Sequence, residues 1–297
     1  MKYNSLTRLK FLMPGCCLFL FLDCASHRAH QPEKESGMEY VTSRDGTTIG
    51  YQKKGAGPSL LLVHGTTADR RRWSAVSPKF EQHFTVYTMD RRGRGESTDA
   101  PGYKIMREAE DVTAVVEAIG EPVFILAHSY GAICSLEATL LTNKVRRIIL
   151  YEPPIPTGLP MYPPGLPDRM QALIDDDELE AALDVFMREV VRMPEHELEN
   201  YRQLPMWKVR IQLAPTIPRE LAIDRTYNFD PNKFADLQIP VLLLLGGDSP
   251  PLFRRATETV DIALPNSTVV ILSGQQHIAM DTDPDLFVNE VLQFLLK

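Results

Sequence analysis

No Cys-x-x-Cys pair and no His-Glu-x-x-His run occurs in the 297 residues, and the seven histidines are scattered, so no zinc module is expected. Cysteine is scarce. Of four, Cys16, Cys17 and Cys24 fall near the start and only Cys134 lies in the body, which excludes a disulfide framework for the folded part. Positive charge is short as well: 32 Lys and Arg stand against 39 Asp and Glu, and a net charge of −7 opposes binding to a phosphate backbone. Nucleic acid is not an expected partner. What remains, 44% hydrophobic and 24% charged residues, is the composition of an ordinary globular chain.

The first residues read differently from the rest. Lys2, Arg8 and Lys10 precede an uncharged apolar stretch, Phe11 to Leu22, and no acid occurs before Asp23. That layout is a secretory leader, residues 1–37, although Asp23 before Cys24 is a poor lipidation signal. The stretch spans 12 residues and is broken by Pro14 and Gly15, too short for the roughly 20 of a membrane span. Two localisations follow: exported or membrane-anchored if the leader is real, cytoplasmic if Met38 is the natural start. The sequence carries no signal for oligomeric state.

From Met38 onward, short Leu- and Val-rich runs alternate with helical patterns, which predicts an α/β fold with a mostly parallel sheet. Eight strands are expected: 39–42, 48–53, 60–63, 85–89, 123–126, 147–151, 241–245 and 268–272. Asp45-Gly46 marks a hairpin between the first two. Continuous apolar runs such as Leu60-Leu61-Leu62-Val63 and Leu242 to Leu245 belong to central strands covered on both faces. Helices are expected at 73–80, 105–119, 131–141, 252–264 and 284–296.

Between 153 and 237 the pattern changes to a proline-rich linker and a helix from about Asp175 to Met193, read as a cap inserted between core segments 38–152 and 238–297. Asp175-Asp176-Asp177-Glu178 is taken as the acidic start of that helix rather than as a cation site.

Residues 123–132, VFILAHSYGA, run from a buried strand through a tight turn at Ser129 into a helix, which is a nucleophile elbow. Gly131 permits close passage of the helix start, and Ala127 fills the first glycine position of G-x-S-x-G. The strand of LLLVHGTT (60–67) ends at His64-Gly65, where the Thr66 amide can complete an oxyanion hole with that of Tyr130. His64 is read as orienting that turn and His128 as packing beside the elbow. DRRGRGES (90–97) lacks the Lys-Ser or Lys-Thr of a phosphate loop and is read as structural, and Arg70-Arg71-Arg72 as a solvated face.

In their order, His64-Gly65, DRRGRGES, the Ser129 elbow, the inserted cap, LLLLGGDS (242–249) and LSGQQHIAMD (272–281) resemble α/β-hydrolase-fold proteins from about Met38 to the C-terminus. The resemblance implies that His277 is the general base toward Ser129. It places the usual triad acid at Ser249, so two carboxylates stay open: Asp248, one residue earlier, and Glu152, after the strand that follows the nucleophile helix. Haloalkane dehalogenases place an acid at the latter point in one subgroup and share the spacing of HGTTADRRRW (64–73). Their nucleophile is Asp, so Ser129 argues against that activity.

The expected activity is therefore that of a serine esterase, cleaving an ester-like, partly apolar small molecule through an acyl-enzyme without metal or organic cofactor. Met161, Tyr162, Phe186, Met187, Met193, Met206 and Trp207 are the apolar candidates for a pocket under the cap. A triad-dependent lyase or carbon–carbon bond hydrolase is the alternative within enzymes. A ligand-binding receptor or pseudo-enzyme on the same fold is the alternative outside them.

Overall fold

The computed structural model describes residues 37–297, so the leader reading, with Cys16, Cys17 and Cys24, falls outside the described residues apart from Gly37. The eight strands are β1 (Met38–Thr42), β2 (Thr48–Gly55), β3 (Ser59–Val63), β4 (Thr85–Met89), β5 (Val123–His128), β6 (Val145–Tyr151), β7 (Val241–Gly246) and β8 (Ser267–Leu272). They form one sheet in the order β1-β2-β4-β3-β5-β6-β7-β8. The pairs β1–β2 and β2–β4 are antiparallel and all others parallel. Gly46 turns the first hairpin at φ 90°.

Alternation builds two cores from the central strands. Leu61, Val63, Ile125, Ala127 and Leu243 pack into one apolar cluster, and Leu60, Leu62, Leu126, Leu242 and Leu244 into a second. A strand buried on both faces must be apolar at every position, which is why these runs are continuous.

The helices are α1 (Ser77–Phe80), α2 (Ile105–Ile119), α3 (Tyr130–Ala138), α4 (Leu166–Asp175), α5 (Leu179–Phe186), α6 (Glu195–Arg202), α7 (Met206–Leu213), α8 (Ile217–Leu221), α9 (Ile223–Thr226), α10 (Pro251–Ala263), α11 (Ala279–Thr282) and α12 (Pro284–Leu295). Among the described residues, no helix is long and apolar enough to cross a membrane. Helices α4 to α9 all lie between β6 and β7.

Three local expectations are corrected. The helix expected at 73–80 is a 3-10 turn, Arg70–Trp73, followed by α1, because the Asp69 side chain caps Arg71 N early and Pro78 begins a new helix. The helix expected from Asp175 to Met193 is broken: α4 ends at Asp175, and Asp177 sits at φ 61°. Asp176 and Asp177 thus form a turn, for which Asp is suited. A π-helical turn, Met187–Val191, follows α5 and closes at Arg192, φ 58°. Finally, Arg70-Arg71-Arg72 is not a solvated face. Arg70 is buried 2.5 Å from Asp90 and Arg72 is buried 2.6 Å from Asp281, while Arg71, on Asp69, reaches solvent.

The loop after β4 is an ion-pair hub. Arg91 meets Glu108 at 2.6 and 2.7 Å and Glu220 of α8 at 2.5 Å, Arg94 also meets Glu220, and Arg92 reaches Asp111 and Asp45. Glu220 thereby ties the helical segment to the sheet. Breaking such a buried pair from one side typically costs about 3–5 kcal/mol.

The order of the sheet also locates a crevice. The chain leaves β3 toward β4 on one side and continues with β5 on the other, so β3 and β5 are neighbours whose connections diverge. Open α/β sheets take ligands at the carboxyl ends of strands at such a switch point. The residues just beyond those ends are His64–Thr67 and Ser129–Tyr130.

Candidate active site

Ser129 stands between the end of β5 and the start of α3, with φ 55° and ψ −126°. A serine in that region costs on the order of 1–3 kcal/mol and persists only where its surroundings impose it. Here the Ser129 amide donates to Tyr151 O at 2.8 Å, and α3 starts against β3. A Cβ on Gly131 would lie 2.3 Å from His64 O and 2.9 Å from Val63 O, and one on Gly65 would lie 2.9 Å from Ser129 Cβ. Only glycine allows this approach at either position. Ala127, in contrast, sits in the buried β5 ladder beside Val63 and Leu150, with a small side chain that the strand tolerates.

His277, which lines one cavity together with Ser129, lies in the loop between β8 and α11. Its Nδ1 is 2.5 Å from Oε2 of Glu152, which is fully buried just beyond β6. The other carboxylate oxygen, Oε1, accepts the Gly246 amide at 2.7 Å, and Glu152 N donates to Leu244 O at 3.1 Å. Phe253 stacks on the imidazole at 4.2 Å and 19°. The loop itself is clamped: Tyr151 Oη donates to Gln276 O and accepts from Ala279 N.

His128 completes that clamp. Its Nε2 lies 2.8 Å from His277 O, and since a carbonyl only accepts, Nε2 carries the proton. Burial, reinforced by the neighbouring His277, pushes the His128 pKa well below its ordinary value and keeps the ring neutral. It is a positioning group.

Of the two carboxylates left open by the sequence, Glu152 meets His277. Asp248 is exposed, its amide donating to Gln275 O at 3.0 Å and its carboxylate making no bond to the imidazole. Ser249 is buried, with its hydroxyl unpartnered. No local signal in the sequence separates Glu152 from Asp248, because the choice depends on how the loops after β6 and β7 fold over each other.

Thr66 and Tyr130 face the same cavity as Ser129 and His277. Tyr130 opens α3, so its amide has no partner within the helix, and the Thr66 amide donates to no acceptor among the described residues. The loop that carries Thr66 is held from both sides. His64 bonds Gly65 O through Nδ1 at 2.9 Å and accepts Arg91 N on Nε2 at 3.1 Å. Burial drives the His64 pKa well down, with Arg91 and Arg94 adding to it, so the ring is neutral as both bonds require. Arg210 of α7 donates to Thr67 O and Oγ1 at 3.0 and 2.9 Å, and Thr67 turns at φ 52°.

The remaining walls are apolar. Of the candidates from the sequence, Met161, Phe186, Met187 and Met193 line the cavity, whereas Tyr162 hydrogen-bonds Leu221 O and Trp207 packs on Tyr201. Among the described residues, no group of three or more His, Cys, Asp or Glu could hold a metal ion.

Comparison with known proteins identifies the fold family. A model of the alpha/beta hydrolase family matches residues 60–290. An alpha/beta hydrolase from Sphaerobacter thermophilus superposes with a TM-score of 0.76 at 32% identity, covering 86% of this chain and 99% of that one. An esterase from Rhodococcus sp. ECU1013 is alike in fold, with a TM-score of 0.68, 24% identity, and coverage of 87% and 98%. Among curated proteins, the uncharacterized hydrolase YraK of Bacillus subtilis is 32% identical over 113 residues, 36% of this chain. The probable oxidoreductase EphD of Mycobacterium tuberculosis is 32% identical over 109 residues, 34% of this chain. The matches span 42% and 18% of the length of those two relatives.

Proposed function

Because the chain belongs to the alpha/beta hydrolase family, we propose that it is a serine hydrolase cleaving an ester-like small molecule through an acyl-enzyme. The observation that carries this reading is the 2.5 Å contact between buried Glu152 and His277 Nδ1, at a cavity that Ser129 shares. With Nδ1–H held by the carboxylate, Nε2 is left as the acceptor for the serine proton.

Ser129 Oγ attacks the substrate carbonyl while His277 Nε2 takes its proton, and Glu152 stabilises the imidazolium without accepting the proton. The tetrahedral oxyanion is met by the amides of Thr66 and Tyr130, each such donor typically contributing about 2.7–4 kcal/mol to the transition state. The N-terminus of α3 adds its favourable field. Collapse returns the proton from His277 to the departing alcohol. Water, deprotonated by His277, then attacks the acyl carbonyl, and Ser129 leaves reprotonated with the acid as product. The helices between β6 and β7 act as a cap, and the apolar walls favour a substrate with a hydrocarbon acyl or alcohol part.

The test is pre-steady-state kinetics with p-nitrophenyl esters of increasing chain length. A burst of p-nitrophenol of about one equivalent per enzyme, followed by slower turnover, is expected. A chain that releases no burst and turns over no ester, thioester or lactone, yet cleaves β-diketones, is instead the carbon–carbon bond hydrolase.

A further inference from the structure

Arg210 is a cation without a counter-ion. It is 4% exposed, its Nη1 is used by Thr67, and neither Nε nor Nη2 meets an acceptor among the described residues. The ring of Tyr201 lies 5.0 Å from the guanidinium carbon and provides a face but no charge. The nearby acids pair with other cations, Asp281 with Arg72, Asp69 with Arg71, and Glu220 with Arg91 and Arg94; Glu220, which lines the same cavity, keeps Oε2 unpartnered but makes no ion pair with Arg210. Burial pushes the Arg210 pKa below the ordinary guanidinium value, and neighbouring Arg72 contributes in the same direction. The guanidinium nonetheless stays charged at neutral pH. Holding such a charge unpaired in an apolar enclosure is unfavourable, so something at this site must offset it.

The cavity supplies the place for that partner, since Arg210 lines it together with Ser129, His277 and Thr66. Resting on the serine-hydrolase reading, we propose that the substrate bears a carboxylate on its acyl or alcohol part, and that Arg210 binds it. A carboxylate can accept from Nη2, which unlike Nε is not closed off, in a charge-assisted hydrogen bond. The apolar walls would then hold the hydrocarbon between the two polar ends. The proposed substrate is a carboxylate-bearing ester or lactone rather than a neutral lipid-like ester.

The experiment compares kcat/KM for two matched pairs: mono-p-nitrophenyl adipate against p-nitrophenyl hexanoate, and 4-acetoxybenzoate against phenyl acetate. The wild type is expected to prefer the anionic member of at least one pair by roughly 10-fold or more, as charge-assisted hydrogen bonds would give. Arg210→Met should abolish that preference and Arg210→Lys should retain part of it. A role confined to pinning Thr67 would lower both members of a pair equally and leave their ratio unchanged. Equal turnover of both members in both pairs by the wild type, which needs no variant to fold, overturns the proposal and leaves the hydrolase reading standing. Should no ester be turned over at all, that reading fails instead. Calorimetric titration with adipate and 4-hydroxybenzoate then decides: binding to the wild type that is lost in a folded Arg210→Met variant supports the anion site, and no binding to the wild type overturns it.

Discussion

Replacing Ser129 by alanine is expected to lower kcat for a p-nitrophenyl ester by roughly 10⁴- to 10⁶-fold, with residual turnover from the oxyanion donors and from substrate binding. His277→Ala should fall as far, and the double variant little further, because nucleophile and base act as one unit. The effect is large because an unactivated serine hydroxyl is a poor nucleophile, and removal of either partner returns the reaction to attack by water. Steady-state assays alongside thermal melts check this. Ser129→Ala should melt near the wild type, whereas His277→Ala, which leaves the buried Glu152 carboxylate without its ring partner, should melt lower yet fold. A Ser129→Ala protein that retains more than about a tenth of wild-type turnover would contradict the account.

The second large effect distinguishes the two acids. Glu152→Gln is expected to reduce kcat by about 10⁴-fold, although the side chain keeps its size. The reason lies in the partners of the carboxylate. Oε1 accepts the Gly246 amide, so the oxygen of a glutamine must stay there, and the NH₂ group is turned toward His277 Nδ1. A donor facing Nδ1 forces the proton onto Nε2, the atom that must accept from serine. Asp248→Asn, at an exposed position, should change kcat by less than about two-fold. Equal, shallow losses for the two variants would contradict the triad, and a deep loss for Asp248→Asn alone would transfer the role to that residue.

The parts of the molecule that were legible in the sequence are those determined locally. The eight strands could be placed because central strands need unbroken apolar runs, and Ser129 because a strand, a small residue, a serine and a glycine in that order leave few conformations open. Of the corrected parts, the two helix boundaries were shifted by local caps and turns, but the burial of the arginines depends on partners further along the chain. Arg72 is buried because Asp281 comes to it, and Arg70 because Asp90 does; neither is visible in three consecutive arginines. The fate of Asp248 was set by the fold of two loops. Arg210, in a helix with no motif, carried no signal at all, and its place beside Thr67 emerges only once α7 lies over the end of β3. The residues that hold His277 in position, His128 and Tyr151, are likewise joined to it only by the packing of three strand ends.

The most direct test is covalent. The purified protein is treated with a fluorophosphonate probe and its intact mass is read, beside the Ser129→Ala and His277→Ala variants. The account predicts a single adduct on the wild type, mapped to Ser129, absent from Ser129→Ala and formed far more slowly without His277. A folded wild type that takes up no label, or takes it up equally well in the Ser129→Ala variant, would contradict an activated serine at this site and leave the cavity as a binding pocket.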